Sequence, residues 1–374
     1  MTERNAKLVE AGEVLEEISG WPLARWPERF PGARAFGYLN THVPEEVLHA
    51  AGLTPVHVFG QRRTLEQAET RLPAFACWLV RSALDAAMAG ELDFMAGMAF
   101  AHTCDTVQAL VDIWQLAVPS MPVLTLDTPV ALDAAGARRF FVAALGLFCD
   151  QVAALAGRPV KDDDLRASIV LHNDIRRLVA RLYALSDRLP SWTLLAALRA
   201  GHLAPRETYR RLLADLVAAL EAEPSSVAPG APRLIVVGAH LDDTSLYRAV
   251  AEAGGHVVDD LLDLGRLYYS ELVAEEGDPL ASLADRYLAQ VPIAAKTHSS
   301  RRRDEALVAL VQARQADGVV LSPQKFCEPH GFDYVTLKSA LDRAGVPHLL
   351  VELEQAQVTG QVRTRLGAFV EMLC

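Results

Sequence analysis

The stretch Arg233-Leu234-Ile235-Val236-Val237-Gly238, continuing into Ala239-His240-Leu241-Asp242-Asp243, decides the fold. Leu234 to Val237 is an unbroken aliphatic run, the pattern of a short strand buried on both faces. A helix follows and stops at Gly254-Gly255, and His256-Val257-Val258 is the next strand. Strand, helix and strand in that order require a crossover, so the two strands run parallel. Downstream the alternation continues. Gly318–Leu321 is a strand, Phe332–Ala344 a helix, His348–Val351 a strand and Gly360–Leu373 a helix. Residues 226–374 are thus predicted to form a doubly wound α/β domain, with ligands at the carboxyl ends of its strands.

Residues 1–130 follow the same alternation. Ala35–Leu39 is a short apolar run. The helix after it has Pro44 near its start and Gly52 just past its end. Thr54–Phe59 is a strand, Phe75–Met88 a helix stopped by Gly90, Phe94–Ala101 a strand, Asp105–Leu116 a helix, and Pro122–Leu126 closes the set. Between 131 and 225 the strand signals fade. Ala134–Leu155 is apolar and helical. Asp162-Asp163-Asp164 opens a further helix, its charge suited to the positive end of the dipole. Leu165–Leu185 carries helix-period apolar residues, and Pro205–Leu220 is another helix. Glu223–Gly230 has the composition of a linker. The expectation is two Rossmann-like parallel-sheet domains with a helical block between them.

The chain has 374 residues, room for about two or three domains. Its formal charge of -11 leaves no basic excess for phosphates, which argues against a general nucleic-acid binder. No uninterrupted apolar run reaches the ~18 residues of a membrane span. The start, Met1-Thr2-Glu3-Arg4-Asn5, is polar and lacks a signal-peptide core. A cytoplasmic, reducing compartment is expected. Five scattered cysteines do not make a disulfide framework. Cys149, in the apolar run from Phe140, is expected as a buried helix residue, and Cys374 ends the chain.

The other three cysteines carry more. Cys77 precedes a helix, Cys104 lies in His102-Thr103-Cys104-Asp105-Thr106, and Cys327 lies in Lys325-Phe326-Cys327-Glu328-Pro329-His330. Helix N-termini favour thiolates, so lowered thiol pKa values are expected. Three thiolates meeting across a cleft suit an iron–sulfur cluster or zinc. A cubane held this way has one iron without a cysteine, open to a substrate oxygen. Three unrelated buried thiols remain the alternative, because no cysteines are closely spaced.

Other side chains have two readings each. Glu45 and Glu46 either complement a helix dipole or supply a proton-transfer group. His330 completes Cys-x-x-His with Cys327, as a zinc ligand, a substrate contact or a helix-start residue. Asp242 and Asp243, with His240 beside them, either cap the next helix or face a ligand. Arg301-Arg302-Arg303 is a solvated face or a dock for phosphates or a protein partner. Arg81 is an anion partner for a cluster or part of a structural ion pair. The glycine fingerprint of a dinucleotide site is absent at Gly238-Ala239-His240.

Set in order, these marks resemble the 2-hydroxyacyl-CoA dehydratase / benzoyl-CoA reductase family, in its shorter type of subunit. The resemblance spans nearly the whole chain. It rests on Gly37-Tyr38, Val43-Pro44-Glu45-Glu46, Cys77 with Arg81-Ser82, Leu92-Asp93-Phe94, and Thr103-Cys104-Asp105-Thr106 with Asp112-Ile113-Trp114. It continues through Lys325–His330, Phe332-Asp333-Tyr334 and Gly360-Gln361-Val362-Arg363-Thr364-Arg365. The resemblance implies a 4Fe–4S cluster on Cys77, Cys104 and Cys327 and a related second subunit. It also implies a separate ATP-hydrolysing iron–sulfur activator and an acyl-CoA substrate. Its dehydratases pass through a ketyl radical and expel a 2-hydroxyl group, and its reductases deliver electrons to an aromatic thioester ring. Dehydration is placed ahead of ring reduction, and a non-catalytic electron relay is a third role. Glu46, Glu45 and His102 are the expected catalytic residues, and Asn40, Arg81 and His330 the expected substrate contacts. Asn40 and Ile293 stand where many relatives carry cysteine, and His102 where asparagine is frequent.

Overall fold

The computed structural model describes residues 3–60, 64–354 and 358–374, so Met1 and Thr2 of the polar start lie outside them. Two four-stranded sheets form, both entirely parallel. The first contains β1 (Ala35–Tyr38), β2 (Thr54–His57), β3 (Met98–His102) and β4 (Val123–Asp127), in the order β2-β1-β3-β4. The second contains β5 (Arg233–Gly238), β6 (His256–Leu262), β7 (Gly318–Leu321) and β8 (His348–Leu350), in the order β6-β5-β7-β8. Each sheet therefore reverses its winding at one place, between β1 and β3 or between β5 and β7. Helix-covered parallel sheets leave a crevice at such a reversal, beyond the carboxyl ends of the strands.

The aliphatic runs form the buried strands because both faces are covered. Leu234 to Val237 and Gly318 to Leu321 are all buried. β6 extends past the expected Val258 to Leu262 and carries Asp259 and Asp260 inside. Asp259 pairs with Arg266 and, at 3.1 Å, with Arg314, while Asp260 accepts the Tyr183 hydroxyl at 2.6 Å. These two carboxylates ended the apolar pattern although the strand goes on. The third strand begins at Met98 rather than Phe94, and the helix expected from Phe332 begins at Glu328, with Pro329 in its first turn.

Among the described residues, 131–225 hold no strand beyond an isolated bridge at Ala131. The helices are Ala137–Ala156, Asp162–Ala184, Ser191–Gly201 and Arg206–Leu220. They do not build a core of their own. Ile175, Leu182, Leu198 and Leu213 share a core with Phe100 of the first sheet and Trp114 of the helix Asp105–Ala117. On the sheet's other face, Phe141, Leu145 and Phe148 pack with Phe36, Leu126 and also Tyr287, from the helix Pro279–Ala289. Ala137–Ala156 is long and apolar enough, by length and composition, to cross a membrane. It buries this one stripe and exposes Phe140 and Leu147. Cys149 lies on it, half-buried.

The triple arginine is not one solvated face. Arg303 is buried, its guanidinium bonded to Asp333 at 2.8 Å and near Asp263 at 3.4 Å, while Arg301 and Arg302 reach solvent. The helix Arg303–Arg314 starts there and turns the third arginine inward.

Gly238 ends β5 against the turn after β7. A methyl group placed there would lie 2.7 Å from the Ser322 carbonyl oxygen, a backbone atom with little freedom to move. Gly238→Ala is expected to cost about 1–3 kcal/mol through overpacking. Urea unfolding measures it, and an unchanged midpoint would show that the β5–β7 seam yields.

Candidate active site

The carboxyl ends of the two sheets face each other across a cavity of about 100 Å³. The first domain contributes Leu39, Asn40 and Thr41 from the segment after β1, Cys77, and Thr103 and Cys104 after β3. The second contributes Ala239 and His240 after β5, Asp263 and Leu264 after β6, and Cys327 and His330 after β7. All three cysteines therefore line one hollow, at the crevice that the winding reversals leave open.

Each cysteine is the residue immediately before a helix: Trp78–Met88, Asp105–Ala117 and Glu328–Ala344. Backbone N–H groups of Val80, of Val107 and Thr106, and of His330 favour the three thiolates. Burial outweighs them. It pushes Cys77 up to about 11, Cys104 upward, and Cys327 up to about 12. The expected lowering is thus reversed, because desolvation of a thiolate in a mostly apolar pocket exceeds what a helix end returns. The neighbouring sulfurs add to the rise: Cys104 acts on Cys77, and both act on Cys327.

The structure sorts the other expected residues. Asn40 is on the cavity wall. Its amide donates to the Ala101 carbonyl at 2.5 Å and to Thr103 Oγ1 at 2.8 Å, and its oxygen accepts the Ala101 N–H at 3.0 Å. It ties the end of β1 to the end of β3. His330 is also on the wall, buried, with Nε2 3.1 Å from Asp263 Oδ2. Ile293 and His240 line the same cavity.

Four expected residues are not on the cavity lining. His102 turns to Asp127, with Nδ1 2.7 Å from Oδ1. Arg81 pairs with Glu69 at 2.6 Å. Glu45 and Glu46 are fully buried at the start of the helix Glu45–Ala50, where they pair with Arg206 and Arg176 of the helical block. Burial pushes both carboxyls up, yet Arg206 holds Glu45 well below the ordinary carboxylate range and Arg176 brings Glu46 down to about 2. Both stand in the first turn of their helix, as the dipole reading expects, and both are also paired to arginines distant in sequence, away from the cavity.

Asp242 is not a helix cap. Its Oδ1 accepts the Gly60 N–H at 2.7 Å across the domain seam, and Asp243 makes the local contact, to the Ser245 N–H at 2.8 Å. Among the described residues no three His, Cys, Asp or Glu side chains stand close enough to share one metal ion. The zinc site read from Cys327 and His330 is therefore not formed.

Sequence reading missed three residues of this region. His57 hides inside β2, Nε2 bonded to the Leu39 carbonyl at 2.8 Å. Asp263 ends the acidic β6 segment. Lys296, in an irregular stretch, is buried and donates to Thr128 Oγ1 at 2.6 Å. Burial pushes its ammonium down to about 8, and Cys104 opposes that fall.

A cleft at the switch points of two parallel sheets, lined by three cysteines, is where α/β folds of this kind bind their ligands. Residues 40–373 match the family described as 2-hydroxyglutaryl-CoA dehydratase, D-component, and the chain belongs to this enzyme family of 2-hydroxyacyl-CoA dehydratase and benzoyl-CoA reductase subunits. It is similar to the (R)-phenyllactyl-CoA dehydratase beta subunit of Clostridium sporogenes, 26% identical over 91% of this chain and 92% of that one. It is similar to a benzoyl-CoA reductase subunit of Thauera aromatica, 27% identical over 98% of each. The (R)-2-hydroxyglutaryl-CoA dehydratase subunit beta of Acidaminococcus fermentans is 25% identical over 96% of this chain and 98% of that one. All three are subunits by name, so the family brings with it a partner subunit.

Proposed function

We propose that this chain is the iron–sulfur subunit of a 2-hydroxyacyl-CoA dehydratase. In this reading Cys77, Cys104 and Cys327 hold a 4Fe–4S cluster with one iron free of cysteine. The supporting observation is the meeting of three sulfurs, from two domains, in one cavity. Soft thiolates select iron–sulfur clusters or zinc, and a single ion is not served by this arrangement. A cubane places each ligand on a different iron, so its sulfurs need not crowd one atom. The raised thiol pKa values are no obstacle, because metal coordination deprotonates a thiol outright.

When bound, the cluster supplies single electrons and a Lewis-acidic iron. The protein's own contribution is position and exclusion of water. Leu39, Leu79, Val80, Val107 and Ile293 make a mostly apolar wall that keeps solvent from a reactive intermediate. Asn40, with both amide protons given to Ala101 and Thr103, holds the ends of β1 and β3 together and so fixes the shape of the wall beside the acyl thioester. His330, oriented by Asp263, is the wall residue placed to move a proton, a role that Glu45, Glu46 and His102 do not have the position to fill. A related subunit and an ATP-hydrolysing iron–sulfur activator complete the system, in the cytoplasm.

Ring reduction is the second reading, favoured by the end-to-end match with the benzoyl-CoA reductase protein of Thauera aromatica. Anaerobic purification with the partner subunit, followed by iron and sulfide analysis, tests the cluster. About four irons on this chain are expected, and a colourless, iron-free chain would sink the proposal. Acyl-CoA titration then separates roles. A spectral change at this chain's cluster marks a substrate site, and none marks a relay. Enoyl-CoA formed from a 2-hydroxyacyl-CoA marks dehydration, whereas a reduced ring marks the alternative.

A further inference from the structure

Lys296 is 4% exposed, yet among the described residues no carboxylate lies within ion-pairing distance of it. Its ammonium meets only neutral oxygens: Thr128 Oγ1 at 2.6 Å, the Thr128 carbonyl at 3.4 Å and the His102 carbonyl at 3.4 Å. A buried cation without an anion is costly, and proteins keep one only where something compensates it. The backbone shows where that compensation lies. His102, which accepts from the ammonium, is two residues before Cys104, and Ala295 lines the same cavity as all three cysteines. Lys296 and Cys104 each favour the other's charged form, and His42, a further titratable neighbour, is buried and kept neutral.

We propose that Lys296 is the fixed counter-charge of the three-cysteine site, a positioning residue whose ammonium offsets the negative charge of the bound cluster and raises its reduction potential. The inference rests on the cluster reading above. Adding one electron to the site makes it more negative by one charge, with no bond broken and no proton required. A cation held nearby in a low-dielectric wall stabilises that more negative state. The same ammonium ties the loop ends at His102 and Thr128, so the charge sits on a rigid support.

The test compares wild type, Lys296→Met and Lys296→Arg, each purified anaerobically with the partner subunit. Iron content and the midpoint potential are measured by EPR-monitored titration with titanium(III) citrate. Lys296→Met is expected to keep its iron and to bind the electron ~10-fold less favourably, a fall of ~59 mV for a one-electron couple. Lys296→Arg should stay close to wild type. If Lys296→Met folds without iron while Lys296→Arg is loaded, the counter-charge is needed for assembly, and the proposal stands. Equal potentials in wild type and Lys296→Met overturn it. Iron loss in both variants overturns it as well, since shape rather than charge would then matter. A wild type without iron removes the cluster reading itself and this inference with it.

Discussion

Cys327→Ala is expected to empty the site of iron and to cut activity by more than ~100-fold, while leaving the chain folded. Loss of an outer-shell partner alone costs ~10–100-fold in metal affinity or activity, and Cys327 is proposed as a direct ligand. It is also the only one of the three sulfurs that the second domain supplies. The fold has little stake in the thiol. Cys327 makes no side-chain cap bond to its helix, it is only half-buried, and alanine removes a single small atom. Iron and sulfide analysis beside a thermal melt separates the two effects. Full iron in the variant would remove Cys327 from the site.

The second large effect is expected far from the cavity. Arg206→Ala leaves Glu45 buried without its guanidinium, and breaking such a pair costs about 3–5 kcal/mol. The pH dependence identifies the cause. Burial alone would raise Glu45, but Arg206 and the flanking His172 and His202 hold it well below the ordinary 4.5. A carboxyl depressed by folding contributes stability that is fully present above its unfolded value and lost as pH falls through its folded value. In wild type this contribution fades below about pH 4.5, and that of Glu46 follows toward about 2. Without Arg206 burial prevails, and Glu45 takes up a proton more readily in the folded state than in the unfolded chain. The gap between variant and wild type should therefore be widest near pH 7 and shrink toward pH 4. Denaturant midpoints at the two values measure it, and a gap independent of pH would show that lost packing, not charge, is responsible.

Much of the fold was legible because both sheets are buried on both faces, and such strands announce themselves as aliphatic runs like Leu234–Val237 and Gly318–Leu321. What escaped was polar chemistry carried indoors. Asp259 and Asp260 continue a strand whose apolar run had already ended, Arg303 looks like surface in a triple arginine, and the arginine partners of Glu45 and Glu46 lie more than a hundred residues away. At the site, the three cysteines stood out by their place before helices, but their meeting depends on two switch points facing each other, which no local pattern records. Their acidity was misjudged because a helix end is visible in sequence and desolvation is not. His57 and Lys296 gave no signal, one inside a strand and the other in an irregular stretch.

The helix Pro279–Ala289 leaves its own half of the chain to pack over Ala137–Ala156, the helix that covers one face of the first sheet, and other helices from the middle block cover the opposite face. The halves are consequently interlocked rather than modular. An N-terminal fragment ending near residue 225 would lose the Tyr287 ring from Phe141 and His42 and leave that apolar helix face open to water, and it should aggregate when expressed alone, so exchanging lobes between relatives calls for carrying that helix along with the first lobe.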